Sequence, residues 1–187
     1  MDTSTPYCFF LWLLLLSLPA VVDCLVSPIP MAASVSEKLA ALGITLKDPS
    51  PPKGNYVACV RSGNLLFLCG HLPVREDGTL VTGTLGKDLT VEQGYASARY
   101  SAISILGTLN KELDGDWDRL IRVVKVVGFV NSAQDFTQQP AVINGASDLL
   151  GAVLEGRGVH ARTAVGSNVL PLGVATEVEC IVEISTE

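Results

Sequence analysis

The side chains with the most reactive chemistry are few: five cysteines, two histidines, a run of glutamates near the C terminus, and one arginine, Arg162, ahead of a short apolar segment. Cys8, Cys24, Cys59, Cys69 and Cys180 include no pair at CxxC spacing, and His71 and His160 complete no zinc pattern with them, so a tetrahedral metal site has no ligand set. Cys59, Cys69 and Cys180 form an odd, unpatterned group that suits reduced thiols better than a disulfide framework. An arginine fork can grip a carboxylate through two bonds in fixed orientation. Taken alone, though, an arginine at a strand start is more often a solvated surface residue. Glu177 could orient or deprotonate a water, or simply share a solvent-facing row with Glu179 and Glu183. There is no GxSxG, HExxH or Walker A motif, and no GxGxxG after a strand, so the common nucleophile and nucleotide sites are absent. Gly83-Thr-Leu-Gly86-Lys87 faintly suggests a phosphate loop, but its glycines stand too close together and no strand runs into it. It reads as an ordinary connection.

These residues need elements to hold them. Val35, Leu39 and Leu42 mark a short amphipathic helix over Ser34–Leu42, ended by Gly43. The segment from Asp48 to Gly54 carries three prolines and must be a loop. Tyr56–Arg61 and Leu65–Cys69, around Ser62-Gly63-Asn64, predict a hairpin, and Glu76-Asp77-Gly78 a further turn. From Val91 to Leu113 apolar residues recur at three- and four-residue steps, one face of a long helix, with Thr90 and Gln93 as a capping box and Asp114-Gly115 as its end. Arg122–Val130 is a Val-rich buried strand. Ala141–Leu154 is a second helix, weakened by Gly145 and Gly151. Ala164–Asn168 and Val174–Ile184 are strands around Pro171-Leu-Gly173, the last with one apolar and one largely polar face. The order β-β-α-β-α-β-β predicts an α+β two-layer sandwich, a mixed sheet with two helices on one face. The other face then carries apolar residues that favour oligomerisation.

Composition narrows the function. The 187 residues are 48% hydrophobic, with a formal net charge of −6 and no cluster of Lys or Arg. Such a chain is a poor binder of nucleic acid or anionic membranes. Residues 1–30 differ from the rest. Phe9–Val22 is an almost unbroken apolar run, too short for a comfortable membrane span and of a length that suits a signal-peptide core, yet no Lys or Arg precedes Lys38. Two readings stay open: a leader addressing the secretory pathway or an organelle, or an upstream extension before a start at Met31 that would leave the protein cytoplasmic. The chain therefore divides into leader 1–30, helix and Pro-rich loop 31–53, and main domain 54–187.

Three separated segments resemble the RidA/YjgF/L-PSP family. The first is Gly54-Asn-Tyr56-Val, with Gly63-Asn64-Leu-Leu-Phe-Leu-Cys69-Gly70-His71-Leu-Pro73. The second is Arg122-Val-Val-Lys-Val-Val-Gly-Phe-Val-Asn131, with Asp135-Phe136 and Asn144. The third and most specific is Ala161-Arg162-Thr-Ala164-Val, with Leu170-Pro171 and Val174-Ala-Thr-Glu177-Val-Glu179. The resemblance implies a chorismate mutase-like fold, a homotrimer with its sheets packed inside, and a ligand cleft at each subunit boundary. It implies an enamine/imine deaminase that hydrolyses 2-aminoacrylate-type intermediates to 2-keto acids and ammonia without metal or cofactor. Arg162 then holds the substrate carboxylate and Glu177 positions the attacking water, while Tyr56, Cys69, Gly70, Asn144 and Ala164 line the cleft. Cys69 stands where Ser is common, His71 where Gln is common, and Ala164 where many members have Cys. These departures mark a divergent branch whose substrate can differ. The competing readings are a non-catalytic trimeric binder of small carboxylates and, least supported by the acidic composition, an endoribonuclease.

Overall fold

Ser34 caps the first helix, α1 (Val35–Ala41), in a capping box with Glu37. The computed structural model describes residues 33–49, 51 and 54–186; the apolar run 9–22, on which the leader expectation rests, lies outside the described residues. Gly43, at φ +67°, turns the chain out of α1, as a C-terminal glycine should. A hairpin follows, β1 (Cys59–Ser62) and β2 (Leu65–His71), with Ser62 paired to Leu65 across the Gly63-Asn64 turn. The long helix α2 (Val91–Glu112) starts at the expected cap: the Gln93 amide donates to Thr90 Oγ1 at 3.3 Å and the Thr90 amide to Gln93 Oε1 at 2.9 Å. Then come β3 (Leu120–Asn131), α3 (Gln139–Leu154), β4 (Ala161–Ser167) and β5 (Thr176–Ile184).

The five strands form one sheet in the order β1-β2-β5-β3-β4. Only β3 and β4 run parallel, the pairing that a crossover helix, here α3, permits. α2 and α3 cover one face, and Ile105, Leu106, Ile143 and Leu150 are fully buried there against Val126, Val178 and Val182. The sequence-expected architecture is therefore observed, with α1 as a third, short helix. On β5 the alternation is strict: Thr176, Val178, Cys180, Val182 and Ile184 are buried, while Glu177, Glu179, Ile181 and Glu183 face the other way. That second face carries the partly exposed Phe67, Val127, Phe129 and Ile181, and nothing in the described chain covers it.

Three local expectations change. The first strand starts at Cys59 rather than Tyr56; Tyr56 and Val57 are exposed and unpaired, because β2 offers partners only from Leu65 to Leu68. Gly145 is no weakness of α3. A Cβ there would overlap the Tyr95 carbonyl, so the glycine lets α2 and α3 cross at backbone distance. Glu183 is not free in solvent: it meets Arg122 Nε at 3.0 Å and accepts from Asn64 Nδ2 at 3.0 Å. The Gly83–Lys87 segment is an ordinary connection, with Leu85 buried and the Thr84 amide donating to the Asp88 carboxylate at 3.0 Å. No helix among the described residues is long and apolar enough to cross a membrane.

Candidate active site

β4 is an edge strand, and Arg162 leaves it toward the helix face, because Arg162 pairs with the inward-facing Val126. Its guanidinium meets α3. NH1 donates to Asn144 Oδ1 at 2.8 Å and to Ser147 Oγ at 3.0 Å, and NH2 donates to the Pro140 carbonyl at 3.3 Å. Those bonds fix the plane of the fork and leave Nε–H and one NH2 hydrogen without a partner among the described residues, an edge suited to an incoming carboxylate. Ser147 is itself held. His160 Nδ1 lies 2.6 Å from the Gly158 carbonyl, so that nitrogen carries the hydrogen, and His160 Nε2, 3.0 Å from Ser147 Oγ, accepts the serine hydroxyl. The order of donation is Arg162 to Ser147 to His160 to Gly158.

The second group lies on the other face. Glu177 projects from β5, and a Cβ at Gly70 would overlap Glu177 Oε1. The glycine thus lets the carboxylate lie on the β2 backbone at the irregularity between Leu68 and His71. Burial, and then the neighbouring Glu179, raise the Glu177 carboxyl above the usual carboxylate range. Burial, then Glu177, also raises the Cys69 thiol, which therefore stays protonated and is a poor nucleophile. Cys69 and Gly70, with Tyr56, open onto a cavity of about 570 Å³. His71, also at the cavity, is buried between Thr108 Oγ1 and the Cys69 carbonyl, both 2.7 Å away. Burial lowers its pKa, so it is held neutral.

The family model described as "YjgF/chorismate_mutase-like, putative endoribonuclease" matches residues 36–184. The chain belongs to the YjgF family. Protein TCP17 of Trypanosoma cruzi is 46% identical over 152 residues, which is 81% of this chain and 94% of that protein. The crystal structure of Atu1372, a protein of unknown function from Agrobacterium tumefaciens, is similar with a TM-score of 0.75 and 41% identity, over 81% of this chain and 94% of that one. A "putative endoribonuclease" of Shewanella oneidensis MR-1 is similar with a TM-score of 0.78 and 29% identity, over 81% of this chain and 100% of that one.

In this YjgF chain the seven residues singled out from sequence fall into two groups. Arg162 and Asn144 are in contact, with Ala164 two residues along the same strand. Tyr56, Cys69 and Gly70 line the cavity, and Glu177 lies on Gly70. One protomer does not bring the two groups together. β3 separates β5 from β4, a gap of about 10 Å, and Arg162 and Glu177 leave opposite faces of the sheet. Within one protomer the two groups stay apart, because alternation along strands fixes the two side chains on different sides. Ser147 and His160 escaped the sequence analysis. Their signal was spacing: Ser147 lies one helical turn from Asn144, and His160 lies two residues before Arg162, on the same side of the chain.

Proposed function

We propose that the protein hydrolyses imines and enamines of 2-amino acids to 2-keto acids and ammonia, in a cleft that a second copy completes. In R–C(=NH)–COO⁻ + H₂O → R–CO–COO⁻ + NH₃, the water oxygen bonds to C2, the C=N bond breaks, and both water hydrogens leave on nitrogen. Arg162 holds the carboxylate and so fixes C2. Glu177 takes a proton from the attacking water and returns it to the departing nitrogen, a role that suits a carboxyl raised toward neutrality. The observation that carries the reading is the Arg162 fork, with three hydrogen bonds locking its plane and a free edge outward. The opposite placement of Glu177 means that the two act together only across a boundary between copies. The uncovered sheet face, with Phe67, Val127, Phe129 and Ile181, supports a homotrimer packed through its sheets.

A non-catalytic binder of small carboxylates is the second reading, favoured by the fact that Arg162 and its partners alone suffice to hold an anion. An RNA-cleaving role, suggested by the names of relatives, gains no support from an acidic chain. At the cavity Lys47 is committed to the Glu76 carbonyl and Arg75 to Thr79 and the Leu80 carbonyl. The test is keto-acid release when purified protein is added to a dehydratase generating 2-aminoacrylate. Acceleration that vanishes in Arg162→Ala is expected. Carboxylate binding without acceleration selects the binder, and acceleration that survives Arg162→Ala removes the proposed role of the guanidinium.

A further inference from the structure

The turn between α3 and β4 is tied back to α3 at three residues. Gly158 is buried against the Leu150 carbonyl, an approach that any side chain would block. His160 reaches Ser147, and Arg162 reaches Ser147, Asn144 and the Pro140 carbonyl. Alternation along the extended chain sends residues 160 and 162 to the same side. Asn144 and Ser147, one helical turn apart, face them together.

The hydrogen bonds of this group have one direction when the imidazole is neutral. The Gly158 carbonyl can only accept, so His160 Nδ1, 2.6 Å away, donates to it. His160 Nε2 is then an acceptor and takes the Ser147 hydroxyl hydrogen across 3.0 Å. The Ser147 lone pairs are left for Arg162 NH1, also 3.0 Å away. A serine inside a helix can instead turn its hydroxyl back to the carbonyl four residues earlier. Ser104 on α2 does so, with the Tyr100 carbonyl at 3.3 Å. Ser147 makes no such bond among the described residues; its hydrogen goes to His160. All three side chains, Ser147, His160 and Arg162, are half-buried, where such bonds are stronger than in open water.

We infer that His160 is a positioning residue for the carboxylate grip, acting on Arg162 through Ser147. By taking the serine hydrogen it keeps the Ser147 lone pairs on NH1, and so holds the guanidinium in the plane that presents its free edge. The inference deepens the proposed function and rests on Arg162 as the carboxylate holder. Arg162 carries its charge with or without His160; what His160 sets is the aim of the fork. Without that acceptor the Ser147 hydroxyl is free to turn to the helix backbone, and the fork is left with Asn144 and the Pro140 carbonyl.

Calorimetric titration of the full protein with pyruvate reads the grip without turnover. Two substitutions separate the two bonds of the ring. His160→Asn places an amide where Nδ1 stands, keeps the Gly158 bond and ends short of Ser147. His160→Gln places an amide oxygen near the position of Nε2, where it accepts the Ser147 hydroxyl. Positioning predicts pyruvate binding about tenfold weaker in His160→Asn and close to unmodified in His160→Gln. A residue that only staples the turn through Gly158 gives the reverse order. The reverse order, or equal affinities in the two variants, overturns the inference. Ser147→Ala, a change that favours the helix, should weaken binding as His160→Asn does, and the double variant should bind no more weakly than either. Unchanged affinity in Ser147→Ala overturns the inference, including where the His160 variants do not fold. Binding that survives Arg162→Ala removes the carboxylate holder and the inference with it. An intact pyruvate pattern without imine hydrolysis supports the inference and removes only the proposed reaction.

Discussion

Arg162 has three of its guanidinium hydrogens committed before any ligand arrives. Rigidity of that kind is what a flexible ammonium cannot reproduce. Arg162→Lys should keep the charge, lose the fork, and lower kcat/KM by about 100-fold, the equivalent of roughly 2–3 kcal/mol of charge-assisted bonding; steady-state kinetics checks it. Glu177 shows the opposite trade. Its carboxyl is raised by burial and by Glu179, so between the ordinary value of 4.5 and the raised one the folded state keeps a proton that the unfolded state has lost. Folding stability therefore declines as pH rises through that window. Glu177→Gln, which cannot ionise, should melt above the unmodified protein near neutral pH, with the gap closing as pH falls below 4.5, while hydrolysis is lost. Thermal melts across pH check the sign, and a Glu177→Gln protein less stable at neutral pH would refute the assigned environment.

The elements that hold these residues were legible where one physical signal dominated. The three- and four-residue apolar period of α2 and its Thr90–Gln93 cap are local, and they appear as expected. Strand ends were less so, since Tyr56 and Val57 look like strand residues but find no partner beyond β2. For the site, residue types and motifs marked Arg162, Glu177 and Asn144, but no linear pattern tells which side of the sheet each leaves, and the Ser147–His160 support depends on contacts formed only after folding. The glycines of α3 make the same point. Gly145 lies against the Tyr95 backbone, whereas a Cβ at Gly151 would meet nothing within 4 Å. Gly145→Ala should destabilise by about 1–3 kcal/mol through overpacking. Gly151→Ala should stabilise by up to about 1 kcal/mol through helix propensity. Denaturant melts of the pair check this, and equal effects would contradict the crossing geometry.

At the scale of the whole molecule, the sheet is covered on one side, and the proposed symmetric assembly of identical copies would hide Phe67, Val127, Phe129 and Ile181 without another protein. Val127→Asp, a charge in the middle of that face, should yield monomers by ultracentrifugation and abolish turnover along with assembly. Active monomers would refute the shared cleft.

The most direct measurement mixes two inactive proteins, Arg162→Ala and Glu177→Gln, under conditions that exchange subunits. In a trimer each cleft would take its arginine from one copy and its glutamate from the next, so an equimolar mixture should regain about a quarter of the unmodified activity. A mixture that exchanges subunits and stays as inactive as its components would contradict a site built across the boundary.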